Sequence, residues 1–220
     1  MVKPNVGLII QARLSSSRFP KKILADFFGK TVLETVVERC YEAKLVNRIV
    51  IAAPHQLGVC LNEELFIGSE NDLLDRYYQC ATKYGFDVIC RITSDCPIIP
   101  PAEIDRCIER ILVRDTQYVT NIGAKGRFGL PDGWDCEVFH YKALKESWER
   151  KIPDEHCTTW IKTNEAFNPI FLEPPKLSVD SPEDLERIKD YVITRKKDTN
   201  YWRNGQLCSE LPQSSTYSST

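Results

Sequence analysis

Val6-Gly7-Leu8-Ile9-Ile10, running directly into Gln11-Ala12-Arg13-Leu14-Ser15-Ser16-Ser17-Arg18-Phe19-Pro20-Lys21-Lys22, is the stretch on which the fold turns. An unbroken apolar run of this length fits a strand covered on both faces, the kind found inside a parallel sheet. The loop leaving it carries Arg13, Arg18 and Lys22 within ten residues. It lacks the glycines that let backbone amides approach a phosphate in dinucleotide fingerprints and P-loops, so side-chain charge would have to neutralise an anion. Arg grips phosphate oxygens bidentately and Lys acts as a point charge, so this trio suits a polyphosphate. A solvated basic loop is the plain alternative.

Working outward, Thr31-Val32-Leu33-Glu34 reads as a capping box opening a helix, with Val32, Val36 and Cys40 on one face. Strands are predicted over 48–53, 65–67 and 87–92. Between the last two, Asn71 is the expected cap of a helix carrying Leu74, Tyr77, Tyr78 and Ala81. Pro100 and Pro101 suit the first turn of a helix with Ile104, Cys107, Ile108 and Ile111 inward. Alternation of strand and helix through residue 114 implies βαβ units and a mostly parallel sheet. Beyond it the pattern is less regular. A strand over 117–122 is followed by a loop over 123–133 and by a strand over 134–139, antiparallel or outside the main sheet. Helices are expected over 142–150 and 154–163, then a strand at 177–179 and a helix capped by Ser181 with Pro182 behind it. Ser and Thr dominate from Ser209 to Thr220, which is expected to be disordered.

A chain of 220 residues with 27% charged residues and a formal net charge of -2 fits one domain of ordinary size and carries no global basic field for nucleic acid or an anionic membrane. No apolar run nears the roughly 20 residues of a membrane span, and no cationic segment leads into a signal core, so a cytoplasmic location is expected. The 9 cysteines are odd in number, scattered from Cys40 to Cys208 and never spaced Cys-x-x-Cys, which favours reduced, buried thiols over disulfides or zinc. Neither Cys90 nor Cys96 reads as a nucleophile.

Ligands of open parallel sheets sit beyond the carboxyl ends of the strands, which draws attention to Asp95 and Asp180. These acids could hold a magnesium ion beside the basic loop, since that ion takes one or two carboxylates plus phosphate oxygens. Each also has a plainer role: Asp95 as a turn residue before Pro97, Asp180 as a helix N-terminal acid beside Ser181. Ser69 lies where a helix start could face a ligand, although most helix starts bind nothing. Asp135 and Glu137 share a face if the chain is extended there, and could take an acceptor's hydroxyl or amino groups or simply be solvated. His156 is either structural or a hydrogen-bonding group in the cleft.

The series Ile10 to Lys22, Gly68 to Tyr78, Arg91-Ile92-Thr93-Ser94-Asp95-Cys96-Pro97, Asp132 to Phe139, Glu155-His156 and Val179 to Asp184 resembles, in order, the spore coat polysaccharide biosynthesis type of cytidylyltransferase. Its wider relatives are the acylneuraminate and 3-deoxy-manno-octulosonate cytidylyltransferases. The resemblance implies an α/β nucleotide-diphospho-sugar transferase fold, Rossmann-like and three-layered, with a mostly parallel sheet. It implies a single domain over 1–197 with an inserted dimerisation and acceptor segment near 123–163, followed by a tail over 198–220. The implied reaction is CTP plus a sugar or sugar acid giving a CMP-linked product and pyrophosphate, with Mg2+ as cofactor and a homodimer as the working state. By matched position, Arg13, Lys22 and Asp95 would be catalytic. Leu8, Ala12, Arg13, Arg18, Lys22, Ser69, Arg76 and Asp95 would bind the nucleotide. Asp135, Glu137 and His156 would bind the acceptor, and Asp95 with Asp180 the metal. Three positions depart from the family: Lys21 stands where glycine is usual, Pro100 where aspartate is frequent, and Asp154 where arginine usually precedes Glu-His. The competing readings are glycosyl transfer from a nucleotide-sugar donor on the same fold, and a nucleotide-binding subunit without turnover.

Overall fold

A computed structural model describes residues 3–15, 20–58, 63–122, 133–151 and 156–172. Residues 1–27 with 31–174 form one compact unit and 28–30 with 175–220 a second; the sheet, its helices and the cleft described here all belong to the first. The expected strand at 177–179, the helix after Ser181 and the tail lie outside the described residues, as do Arg18 and Asp180.

The chain runs β1 (Val6–Gln11), α1 (Val32–Tyr41), β2 (Arg48–Ala53), β3 (Glu64–Ile67), α2 (Leu73–Tyr84), β4 (Val88–Thr93), α3 (Pro101–Val113), β5 (Tyr118–Thr120), β6 (Glu137–His140), α4 (Tyr141–Glu149), α5 (Thr159–Thr163) and β7 (Ile170–Phe171). The strands make one sheet in the order β3-β2-β1-β4-β6-β5-β7. Pairings among β3, β2, β1 and β4 are parallel, as is β5 with β7. The exception is β6, which runs antiparallel to both β4 and β5 inside the main sheet.

Period-two alternation divides the core between the two faces. Leu8 and Ile10 of β1 pack with Leu33, Val36, Ile104 and Cys107 of α1 and α3. Ile9 turns the other way and joins Tyr77, Phe139, Leu144 and Ile161, covered by α2, α4 and α5. The central strand is therefore apolar from Val6 to Ile10 except at Gly7, which has its own cause. A Cβ on Gly7 would come within 2.2 to 2.3 Å of three ring atoms of Phe86, so the ring occupies the space a side chain would need.

Local signals behave as the chemistry requires. The Thr31–Glu34 capping box forms reciprocally, and Pro100 and Pro101 open α3. The cap of α2 is Asp72 rather than the expected Asn71: its side chain accepts from the Asp75 amide. Asn71 instead lines the cleft. The seven cysteines among the described residues are buried thiols outside any disulfide.

Substituting Gly7→Ala is expected to destabilise the protein by about 1–3 kcal/mol through overpacking against Phe86, read as a lower midpoint in urea denaturation. A midpoint equal to wild type would show that the Phe86 ring moves aside freely.

Candidate active site

The carboxyl ends of β1 and β4 open into a cleft of about 1020 Å³. Arg13 and Lys22 from the loop after β1, Arg76 from α2 and Asp95 from the turn after β4 line this cleft, and Asp135, Glu137 and His156 line it too. Reversal of β6 explains how residues so far along the chain arrive there. A strand antiparallel to its neighbour delivers its amino end where the neighbour delivers its carboxyl end, and Glu137 indeed pairs in register with Arg91.

On the β1 side, the loop after the strand is closed by the Lys21 amide donating to the Leu14 carbonyl at 3.0 Å. Lys21 adopts φ 55°, in the left-handed region, which accounts for the preference for glycine at this position in the resembled family. The chain then makes a short 3-10 turn over Lys22–Leu24, and the Lys22 ammonium forms an ion pair with the Asp95 carboxylate. Burial alone would raise the Asp95 pKa, but hydrogen bonds from Lys22 and Thr93 bring it below the ordinary carboxylate range. Asp95 is therefore ionised at neutral pH. Because its folded value is depressed, what it adds to stability is present above the ordinary aspartate range and is lost as pH falls through the folded value.

Arg76 is buried, and its Nε donates to the Ser69 carbonyl at 2.7 Å while Nη2 donates to the Glu70 carbonyl at 3.2 Å. Burial, with a smaller contribution from the Arg13 charge, lowers its pKa from the usual guanidinium value. Gly68 makes room for it: a Cβ there would lie 2.7 Å from the Arg76 Cγ. Ser69 organises the helix start, its Oγ accepting from the Asp72 amide at 3.0 Å. Leu8 and Ala12 are fully buried in the core, and the Ala12 amide donates to the Ala52 carbonyl, so their side chains do not face the cleft.

The opposite wall is organised by Glu137, which is almost wholly buried. Its carboxylate is ion-paired with Arg91, accepts from the Tyr118 hydroxyl at 2.5 Å and accepts from the Thr158 hydroxyl at 2.7 Å. The same Thr158 hydroxyl, which has one hydrogen to share, lies 3.2 Å from the His156 carbonyl, so the turn carrying His156 is held against the sheet beside Glu137. Asp135 precedes the strand instead of belonging to it. Its neighbours are held by Asn121, whose Nδ2 donates to the Trp134 carbonyl and whose Oδ1 accepts from the Cys136 amide, both at 2.8 Å. Sequence reasoning missed Gln11, Arg91, Asn121 and Lys162 as parts of this site. Gln11, Arg91 and Lys162 line the cleft, whereas Asn121 braces the segment that carries Asp135.

A family model described as cytidylyltransferase matches residues 8–129, more than half of the chain. The chain belongs to the cytidylyltransferase family. An uncharacterised protein of Methanocaldococcus jannaschii, MJ1063, is 32% identical over 198 residues, covering 81% of this chain and 79% of that one. The spore coat polysaccharide biosynthesis protein SpsF of Bacillus subtilis is 27% identical over 210 residues, with 84% and 85% covered. A 3-deoxy-manno-octulosonate cytidylyltransferase of Geobacter sulfurreducens is 36% identical over 110 residues, 47% of this chain and 44% of that one. Among solved structures, a cytidylyltransferase from Leptospira borgpetersenii superposes with a TM-score of 0.70 at 26% identity, covering 92% of this chain and 98% of the other. In this cytidylyltransferase the family match ends before Asp135, Glu137 and His156, so the wall they form lies beyond the matched segment.

Replacing Glu137 by Gln leaves the Arg91 guanidinium buried without its counter-charge, and a loss of about 3–5 kcal/mol in unfolding free energy is expected. Urea denaturation checks it, and a change under about 1 kcal/mol would mean that Arg91 finds its compensation elsewhere.

Proposed function

We propose that the chain transfers CMP from CTP to a sugar, sugar acid or related acceptor with release of pyrophosphate, in the building of a surface polysaccharide or glycoconjugate. The observation that carries this reading is the sharing of one cleft by Arg13, Lys22 and Asp95 with Asp135 and His156. Support for the acceptor class comes from the 3-deoxy-manno-octulosonate cytidylyltransferase and the spore coat polysaccharide protein among its relatives.

In this mechanism Arg13 and Lys22, with Arg18 from the same loop, hold the triphosphate and offset its charge. The nucleotide side also takes in Arg76 and the Ser69 helix start. An acceptor oxygen forms a bond to the α-phosphorus while the bond from that phosphorus to the bridging oxygen breaks, and pyrophosphate leaves with the electron pair. The acceptor oxygen passes its proton to Asp135 or His156, which line the cleft, and Glu137 fixes the turn that carries His156. Most of the acceleration would come from alignment and from preorganised charge around the phosphates.

Among the described residues no group of three or more His, Cys, Asp or Glu could hold a metal ion by itself. Of the carboxylates lining the cleft, Asp95 stands at the end of β4 paired with Lys22 of the basic loop, and one such hard oxygen ligand fits magnesium, which takes phosphate oxygens and water besides. Asp95 would hold it, and the ion would neutralise charge developing on the phosphate oxygens; Asp180, expected from the resemblance as a second ligand, lies outside the described residues.

A pyrophosphate-release screen crossing the four nucleoside triphosphates with sugars, sugar acids and phosphonates is expected to show release with CTP and one acceptor class; consumption of a nucleotide-sugar donor without pyrophosphate would replace this reading by glycosyl transfer. In the same assay Asp95→Asn is expected to abolish turnover with an unchanged circular dichroism spectrum, and normal turnover would remove Asp95 from the chemistry. Arg13→Ala is expected to weaken CTP binding by about 1.5–3 kcal/mol, the loss of one charged hydrogen bond, and equal calorimetric affinities would contradict its role.

A further inference from the structure

Gln11 closes β1 and lines the cleft. Its Oε1 receives two hydrogen bonds from Arg91, from Nε at 3.2 Å and from Nη2 at 3.1 Å. A guanidinium has donors and no acceptor, so only the oxygen of the Gln11 amide can face it. The orientation of this amide is therefore decided by chemistry. Arg91 cannot swing away, because its Nη1 is ion-paired with Glu137, itself held by Tyr118 and Thr158. The consequence is a fixed Nε2 group with two N–H donors that receive no acceptor among the described residues.

Its surroundings point to what it donates to. Gln11 stands two residues before Arg13, and its carbonyl accepts from the Ser94 amide at 3.1 Å, next to Asp95. The amide is thus flanked by a triphosphate-gripping residue on its own loop and by the strand-end carboxylate on the next. We propose that Gln11 is a nucleotide-binding residue whose side-chain amide donates a hydrogen bond to an oxygen of the bound CTP, oriented for it by Arg91 and Glu137. The inference rests on the nucleotidyl-transfer reading.

Calorimetric titration of CTP into the wild type, Gln11→Met and Gln11→Glu tests it. Met keeps the length and neutrality of the side chain without the donor. Glu keeps an oxygen for Arg91 but turns the donor into an anion. Both variants are expected to melt near the wild-type temperature, since Glu137 still pairs with Arg91, and both are expected to lose roughly tenfold or more in CTP affinity, the worth of one hydrogen bond. Weakening in Gln11→Glu alone is charge repulsion and overturns the inference, as does wild-type affinity in both. If the variants fail to fold, the side-chain amide resonances of Gln11 in the isotope-labelled wild type decide: a shift on adding CTP supports the contact and unmoved resonances refute it. Failure of the wild type to bind any of the four nucleoside triphosphates brings down the nucleotidyl-transfer reading and this inference together, whereas normal wild-type binding with indifferent variants removes the inference alone.

Discussion

A guanidinium and a carboxylate buried together at the mouth of the cleft impose the constraint from which the rest of the site follows. Neither Arg91 nor Glu137 could be taken out of water alone, because an isolated charge in a dry interior is far costlier than a paired one. Their pairing fixes both, and each then fixes something else: Arg91 holds the Gln11 amide, and Glu137 gathers Tyr118 and Thr158. Burial by itself would depress the Arg91 pKa, yet the charge and hydrogen bond of Glu137, together with Cys157 and Tyr77, more than offset it and the group is held above its ordinary range. The Arg91 guanidinium therefore keeps its charge beside Glu137.

Most of the parallel part of the sheet, from β1 to α3, was legible in the sequence, for reasons specific to its residues. Apolar runs such as Ile49-Val50-Ile51-Ala52-Ala53 leave no face for water and so read as covered strands, and β2 falls over Arg48–Ala53 as expected. Caps carry short-range chemistry that needs no tertiary knowledge, which is why the start of α1 was readable to the residue. The start of α2 was less so, since Asn71 and Asp72 are both good cap residues and only packing chooses between them.

The wall of the cleft built around β6 was harder because its signals are long-range. Polar residues inside apolar strands, Arg91 in β4 and Glu137 in β6, announce that each needs a partner, but not that they need one another. Their separation in sequence is 46 residues, and only the antiparallel register of β6 brings them opposite. Read by alternation alone, Glu137 looked like a cleft-facing group equivalent to Asp135. In the fold the two part company: Asp135 sits on the segment before the strand, braced by Asn121, while Glu137 spends its carboxylate on three protein donors. Gln11 gave no signal at all, because an amide acquires direction only from what its neighbours leave unsatisfied.

The reversed direction of β6 has an evolutionary corollary. Had the sheet continued in parallel, both walls of the cleft would have come from the turns of one repeating βα pattern. With one strand entering head-first, the wall bearing Arg13, Lys22 and Asp95 and the wall bearing Asp135, Glu137 and His156 are encoded on successive, separable stretches of the gene. Only the first of these stretches lies inside the family match, which stops at residue 129, so a change in the second need not touch the first.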